Sequence, residues 1–250
     1  MSALATAFES ELATDVLAGL VRSGQKELPS RWLYDPLGSA LFDAITLLPE
    51  YGLTRADARL LQANATAIAA ALPGDFAIAE LGSGSGIKTR WILEAFAHRG
   101  PVDYFPIDIS HAALSNCSSS LKGIPDVRIT ELHATYLEGL ARVVAQRPAG
   151  CHILVLFLGS TIGNFDSAAA RSFLSQVRAL LASGDALLLG ADLVKPLPQM
   201  LEAYDDPTGV TAAFNLNVLA RINRELGADF NLRELSPASK CIYARGHGRS

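Results

Sequence analysis

The residues with the clearest chemical potential in this 250-residue sequence lie in Glu80-Leu81-Gly82-Ser83-Gly84-Ser85-Gly86. An apolar run precedes them and a helix-like stretch over 88–98 follows. Glycine permits φ > 0 and lets backbone come close to a ligand, while a helix start offers unpaired N–H groups. A strand, a glycine turn and a helix in this order can hold a nucleotide-like ligand, although the same residues also suffice for a plain tight bend. Spacing separates the possible ligands. In the dinucleotide fingerprint the third glycine comes three residues after the second, whereas Gly82, Gly84 and Gly86 alternate, which disfavours a nicotinamide-dependent oxidoreductase.

Asp108 is the next candidate. It closes the following strand-like run, about 20 to 30 residues beyond the glycine turn, where an acid takes the ribose hydroxyls of a nucleotide. A carboxylate accepts both hydrogen bonds of a vicinal diol, and it also suits a helix N-terminus, so both roles stand open. Further on, Leu158-Gly159-Ser160-Thr161-Ile162-Gly163-Asn164-Phe165 puts small residues and an amide directly after a buried strand. Asn164 could hold an amine or a carboxylate, or cap the helix that starts near Ser167. Tyr34, Tyr51, Tyr204 and Phe214 are aromatic side chains of either a pocket or an ordinary core.

These residues need a scaffold, and the hydrophobic pattern supplies one. Strands are expected at 76–81, 102–107, 127–132, 152–158 and 186–189, with helices between them at 88–98, 110–121, 136–146 and 167–182. This alternation predicts an α/β fold, a mainly parallel sheet covered on both faces, with ligands outside the carboxyl ends of the strands. Around it, helices are expected near 11–21, 41–45 and 55–72, and again up to Leu226 after the Asp205-Asp206-Pro207 turn.

Composition narrows the partners. The chain is 50% hydrophobic and 18% charged, as a globular protein is, and its net charge of −4 provides no basic field for nucleic acid. Cys117, Cys151 and Cys241 are few and scattered, which fits a reducing cytoplasm and argues against structural zinc. The N-terminus lacks a signal-peptide pattern, and no apolar run approaches the ~20 residues of a membrane helix. The histidines form no HxH or HExxH pair, and no GxSxG elbow is present, so neither a metal centre nor a serine hydrolase is supported.

Taken in order, several segments resemble the histidine Nα-methyltransferases of ergothioneine biosynthesis, within the class I S-adenosylmethionine-dependent enzymes. They are Arg31-Trp32-Leu33-Tyr34-Asp35, Gly38-Ser39-Ala40-Leu41-Phe42, Leu48-Pro49-Glu50-Tyr51 with Thr54-Arg55, Glu80-Leu81-Gly82-Ser83-Gly84 and Lys88-Thr89-Arg90. The similarity continues through Phe157 to Asn164, Asp192-Leu193-Val194-Lys195 and Tyr204-Asp205-Asp206 to Asn215. It implies a Rossmann-like methyltransferase domain and transfer of a methyl group to the α-amine of L-histidine. On the cofactor side it implies Glu80, Gly82, Ser83, Gly84, Lys88 and Asp108, with Asp108 at the ribose and Thr135-Tyr136 at the adenine, where the family usually carries Asp-Phe. On the substrate side Asn164 and Tyr204 would hold the carboxylate, Tyr51 would face the imidazole, and Tyr34 would lie near the amine, with Gly159 and Phe214 lining the pocket. Tyr34 and Asn164 would be the catalytic pair. No metal is implied.

The expected organisation is a helical substrate segment over 1–72, the cofactor domain over 73–195, a second substrate segment over 196–231 and a divergent tail over 232–250. Beyond Asn231 the resemblance ends, which implies a shortened enzyme without the final strand hairpin and with part of its imidazole grip missing, hence weak or absent activity; a monomer is expected. The alternative is a non-catalytic protein that binds S-adenosylmethionine or a partner.

Overall fold

The computed structural model describes residues 3–235. It divides into two compact units, one made of Gly52–Lys195 and the other of the segments before and after it. Most of the expected tail, residues 236–250, lies outside the described residues. Among those described, no helix is long and apolar enough to cross a membrane.

The first unit is built on a sheet of β1 (Phe76–Leu81), β2 (Val102–Asp108), β3 (Val127–Ile129), β4 (Leu132–His133), β5 (His152–Phe157) and β6 (Ala186–Leu189). All pairings are parallel, in the order β3-β2-β1-β5-β6, with β4 also on β2. Phe76-Ala77-Ile78-Ala79-Glu80-Leu81 is buried at every position, as a central strand between two helical layers must be. Alternate residues serve opposite cores. Phe76 and Ile78 join α3 (Leu53–Ala71), α4 (Arg90–Ala97) and α5 (His111–Leu121) on one face. Ala77, Ala79 and Leu81 join α6 (Tyr136–Ala145) and α7 (Ser167–Leu180) on the other.

Two differences from the sequence reading concern boundaries. The third expected strand is split, because Thr130 and Glu131 interrupt the apolar run and leave β3 and β4 as short pieces on the same neighbour. Helix α3, expected to stand with the substrate segment, packs Leu61, Ala65 and Ala69 into the core of the sheet unit. Among the described residues β6 has a neighbour on one side only, and Leu187 and Leu189 are exposed along it.

The second unit contains α1 (Ala3–Val21), a 3₁₀ turn at Ser30–Leu33, α2 (Pro36–Leu47), α8 (Leu197–Tyr204) and α9 (Val210–Leu226). Trp32 is its fully buried centre, with the indole N–H donating to Asp15 Oδ2 at 2.8 Å and the Arg221 guanidinium 5.2 Å from the ring. Asp35 ties three parts together. It caps α2 by accepting the Gly38 N–H at 2.7 Å, and it accepts Asn217 Nδ2 at 2.6 Å and Arg224 at 2.7 Å. Burial pushes its pKa up, but these donors outweigh burial and hold the carboxyl below its usual value. Asp35→Ala removes a cap and leaves a buried amide without its acceptor. It is expected to cost about 2 kcal/mol in urea unfolding, and an unchanged midpoint would refute this account.

Candidate functional site

In an open parallel sheet, ligands collect where the strand order reverses, outside the carboxyl ends. Here that point is at β1, which has β2 on one side and β5 on the other. The expected residues of the sheet unit lie at the ends of these three strands or in the segments after them, except Thr135 and Tyr136, which follow β4.

After β1 the chain makes a turn in which Gly82, Gly84 and Gly86 all have positive φ. The Gly82 and Ser83 N–H groups bond to the Ile107 carbonyl, which fixes the turn against β2. Gly86 is the strictest of the three. At φ +68, a β-carbon there would meet the Cys117 sulfur at 2.5 Å, so only glycine fits. Nothing lies within 4 Å of a β-carbon built on Gly84, so the space beside that backbone is open. Such a β-carbon on Gly82 would lie 3.3 Å from the Tyr136 hydroxyl, so Tyr136 at the start of α6 stands directly against the turn.

Asp108 closes β2 and faces the turn. Its Oδ2 accepts the Gly84 N–H at 3.2 Å and its Oδ1 the Ser110 N–H at 2.9 Å. Burial raises its pKa, and these backbone donors together with nearby His133 pull it back only in part. The side-chain cap of α5 is Ser110, which accepts the Ala113 N–H, while Asp108 also serves the helix N-terminus through its bond to the Ser110 N–H. Asp166 caps α7 by accepting the Ala168 and Ala169 N–H groups, while the exposed Asn164 amide has no hydrogen-bond partner among the described residues.

Glu80 needs a correction. Expected at the cofactor, it shares the strand face of Phe76 and Ile78 and therefore points into the core, 1% exposed. The Thr89 hydroxyl, 2.8 Å from both carboxylate oxygens, and the Tyr104 hydroxyl donate to it. Burial, opposed in part by these bonds, lifts its pKa to about 7. Glu80 thus anchors the floor of the glycine turn from within. Ser83, expected on the ligand side, is 4% exposed and stands beside Cys117, whose thiol burial pushes up to about 12. The Thr135 hydroxyl donates to Glu138 at 2.8 Å within the capping box of α6, in which the Thr135 side chain also accepts the Glu138 N–H.

Lys88 follows the glycine turn and donates from Nζ to Asp57 Oδ2 at 2.7 Å. The same oxygen accepts the Gly159 N–H at 3.0 Å, and sequence reasoning had not marked Asp57. It had also missed the stacking of His111 on His133, with ring centroids 3.6 Å apart beside the end of β2.

The helical unit groups all four aromatic residues assigned to the substrate. Tyr34 meets Phe214 edge-on at 5.6 Å, and Tyr51 meets Tyr204 at 6.5 Å. Between them stands Phe42, 5.5 Å from Tyr34, 5.9 Å from Phe214 and 6.2 Å from Tyr51. Phe42 belongs to a stretch quoted for the resemblance, but its helical spacing reads equally as core.

The family described as histidine-specific, S-adenosylmethionine-dependent methyltransferase matches residues 12–248. The chain belongs to that family. The match reaches into the 232–250 stretch that the sequence reading set apart. A histidine N-alpha-methyltransferase of Mycobacterium tuberculosis is 44% identical over 223 residues, covering 88% of this chain and 68% of the relative. One from Mycolicibacterium smegmatis is 43% identical over 231 residues, covering 92% and 70%. The ergothioneine biosynthesis protein 1 of Neurospora crassa is 33% identical over 223 residues, covering 88% of this chain and 26% of that longer protein.

The donors and acceptors of the sheet unit fit S-adenosylmethionine, the family's cofactor. Asp108 is an acid at the end of β2, Lys88 a cation beside the turn, and the Gly84 backbone is open to approach.

Proposed function

We propose that this chain transfers a methyl group from S-adenosylmethionine to the α-amine of L-histidine, as a step of ergothioneine biosynthesis. The supporting observation is that Asp108, at the end of β2, faces the glycine turn after β1, while Asn164, in the segment after β5, is exposed and has no hydrogen-bond partner among the described residues. An acid facing the glycine turn and an open amide after β5 suit a cofactor and an amino acid. Family membership supports this reading over a non-catalytic binding protein.

In this reading Asp108 accepts the ribose hydroxyls, and Gly82, Ser83 and Gly84 form the turn along the cofactor. Lys88 meets its charged end, while Thr135 and Tyr136 serve the adenine. Asn164 and Tyr204 hold the histidine carboxylate, Tyr51 faces the imidazole, Tyr34 stands near the amine, and Gly159 and Phe214 line the space. The cofactor supplies an electrophilic methyl on a sulfonium. The amine must be uncharged to attack, and its proton passes to water or to a tyrosine hydroxyl, so the residues act chiefly by alignment. Repeated methylation of one nitrogen leaves a bulky cation, which Tyr34, Tyr51 and Phe214 can face by cation–π contact.

Incubation with methyl-labelled cofactor and a panel of free amino acids tests this reading. Label is expected on histidine and not on tryptophan or phenylalanine. Cofactor binding without transfer to any of them would favour the non-catalytic alternative.

A further inference from the structure

Asp57 lies near the N-terminal end of α3, and its two oxygens have different surroundings. Oδ2 accepts both Lys88 Nζ, at 2.7 Å, and the Gly159 N–H, at 3.0 Å. Oδ1 has no hydrogen bond among the described residues. Lys88 likewise uses one of its three N–H donors on Asp57 and has two left. The side chains are 12% and 21% exposed, so the pair is largely covered yet still reachable. It joins the segment after β1 to the segment after β5, at the reversal of strand order.

The pair contributes about 1 kcal/mol at most to the fold, as ion pairs near the surface do, and its remaining acceptor and two donors can meet water or a ligand. The open groups have a complement. An α-amino acid presents an ammonium, which donates, beside a carboxylate, which accepts. We propose that Asp57 and Lys88 form a clasp for the amino-acid end of S-adenosylmethionine. Asp57 Oδ1 accepts from the α-ammonium and Lys88 donates to the α-carboxylate. The inference rests on the cofactor reading above and adds Asp57 to it. Gly159 stands against the pair: at φ +71, a β-carbon there would lie 2.9 Å from Lys88 Nζ and crowd the ammonium.

Calorimetry on the full chain with two ligands tests the clasp. S-adenosylhomocysteine and 5′-methylthioadenosine share the adenosine and the sulfur, but only the former has the amino-acid end. Asp57→Asn is expected to weaken S-adenosylhomocysteine about tenfold, the loss of one charge-assisted hydrogen bond, and to leave 5′-methylthioadenosine unchanged. Equal weakening of both ligands would make Asp57 a support of the turn and overturn the clasp. Unchanged S-adenosylhomocysteine binding would overturn it too, with the cofactor reading intact. A wild-type chain that binds neither ligand would overturn the cofactor reading and the clasp together. If the circular dichroism of Asp57→Asn departs from wild type, Lys88→Gln takes its place, and the same selective loss is required.

Discussion

Asp108→Ala is expected to lower the affinity for S-adenosylhomocysteine at least about a hundredfold, some 3 kcal/mol, while Asn164→Ala leaves it close to wild type. Asp108 is asked to do two things. Its carboxylate would accept both ribose hydroxyls, and each charge-assisted bond contributes about 1.5–3 kcal/mol. It also accepts the Gly84 N–H, so its removal frees the middle of the glycine turn. Asn164 holds no part of that turn, and its free amide is assigned to the amino acid. Calorimetry separates the roles: cofactor binding fails in the first variant, and histidine affinity falls in the second at saturating S-adenosylhomocysteine. Equal loss of cofactor in both would refute the division. Asp108→Asn refines it, because an amide keeps an acceptor for Gly84 and should retain more affinity than alanine.

The strands were legible because a central parallel strand is apolar at nearly every position, as Phe76 to Leu81 and His152 to Phe157 are. The turns were legible because glycine at positive φ leaves a mark in the text. Caps decided what remained ambiguous. Asn164 had a competing role as a helix cap, and only the structure assigns that role to Asp166. Glu80 was misplaced although the means to place it were present. Strand parity sets it with Phe76 and Ile78, toward Tyr104 and the core. Asp57 could not have been found this way. Its partners lie 31 and 102 residues along the chain, and no local pattern encodes such a meeting. The same holds for His111 on His133, and for Phe42, whose spacing marks a helix without showing which rings surround it.

Glu80→Gln is expected to remove a pH dependence of stability and to leave cofactor binding nearly intact. The carboxyl has a pKa of about 7 in the fold against 4.5 for an ordinary glutamate, because burial penalises the charge more than Tyr104 and Thr89 relieve it. Between these values the folded chain holds a proton that the unfolded chain has lost, so stability falls as pH rises. The contribution is complete below about pH 4.5 and gone above about pH 7, and it amounts to about 3 kcal/mol at 1.36 kcal/mol per unit. Glutamine fills the same volume, and the two hydroxyls can reorient to bond its amide. The variant should therefore match wild type near pH 4 and exceed it by up to about 3 kcal/mol at pH 8 in denaturant unfolding. Parallel stability curves for the two chains across that range would sink the argument. Binding supplies the second half. A carboxyl buried beneath the turn touches no ligand, so S-adenosylhomocysteine affinity should survive the change. A variant that kept its stability profile but lost the cofactor would return Glu80 to the ligand side of the turn.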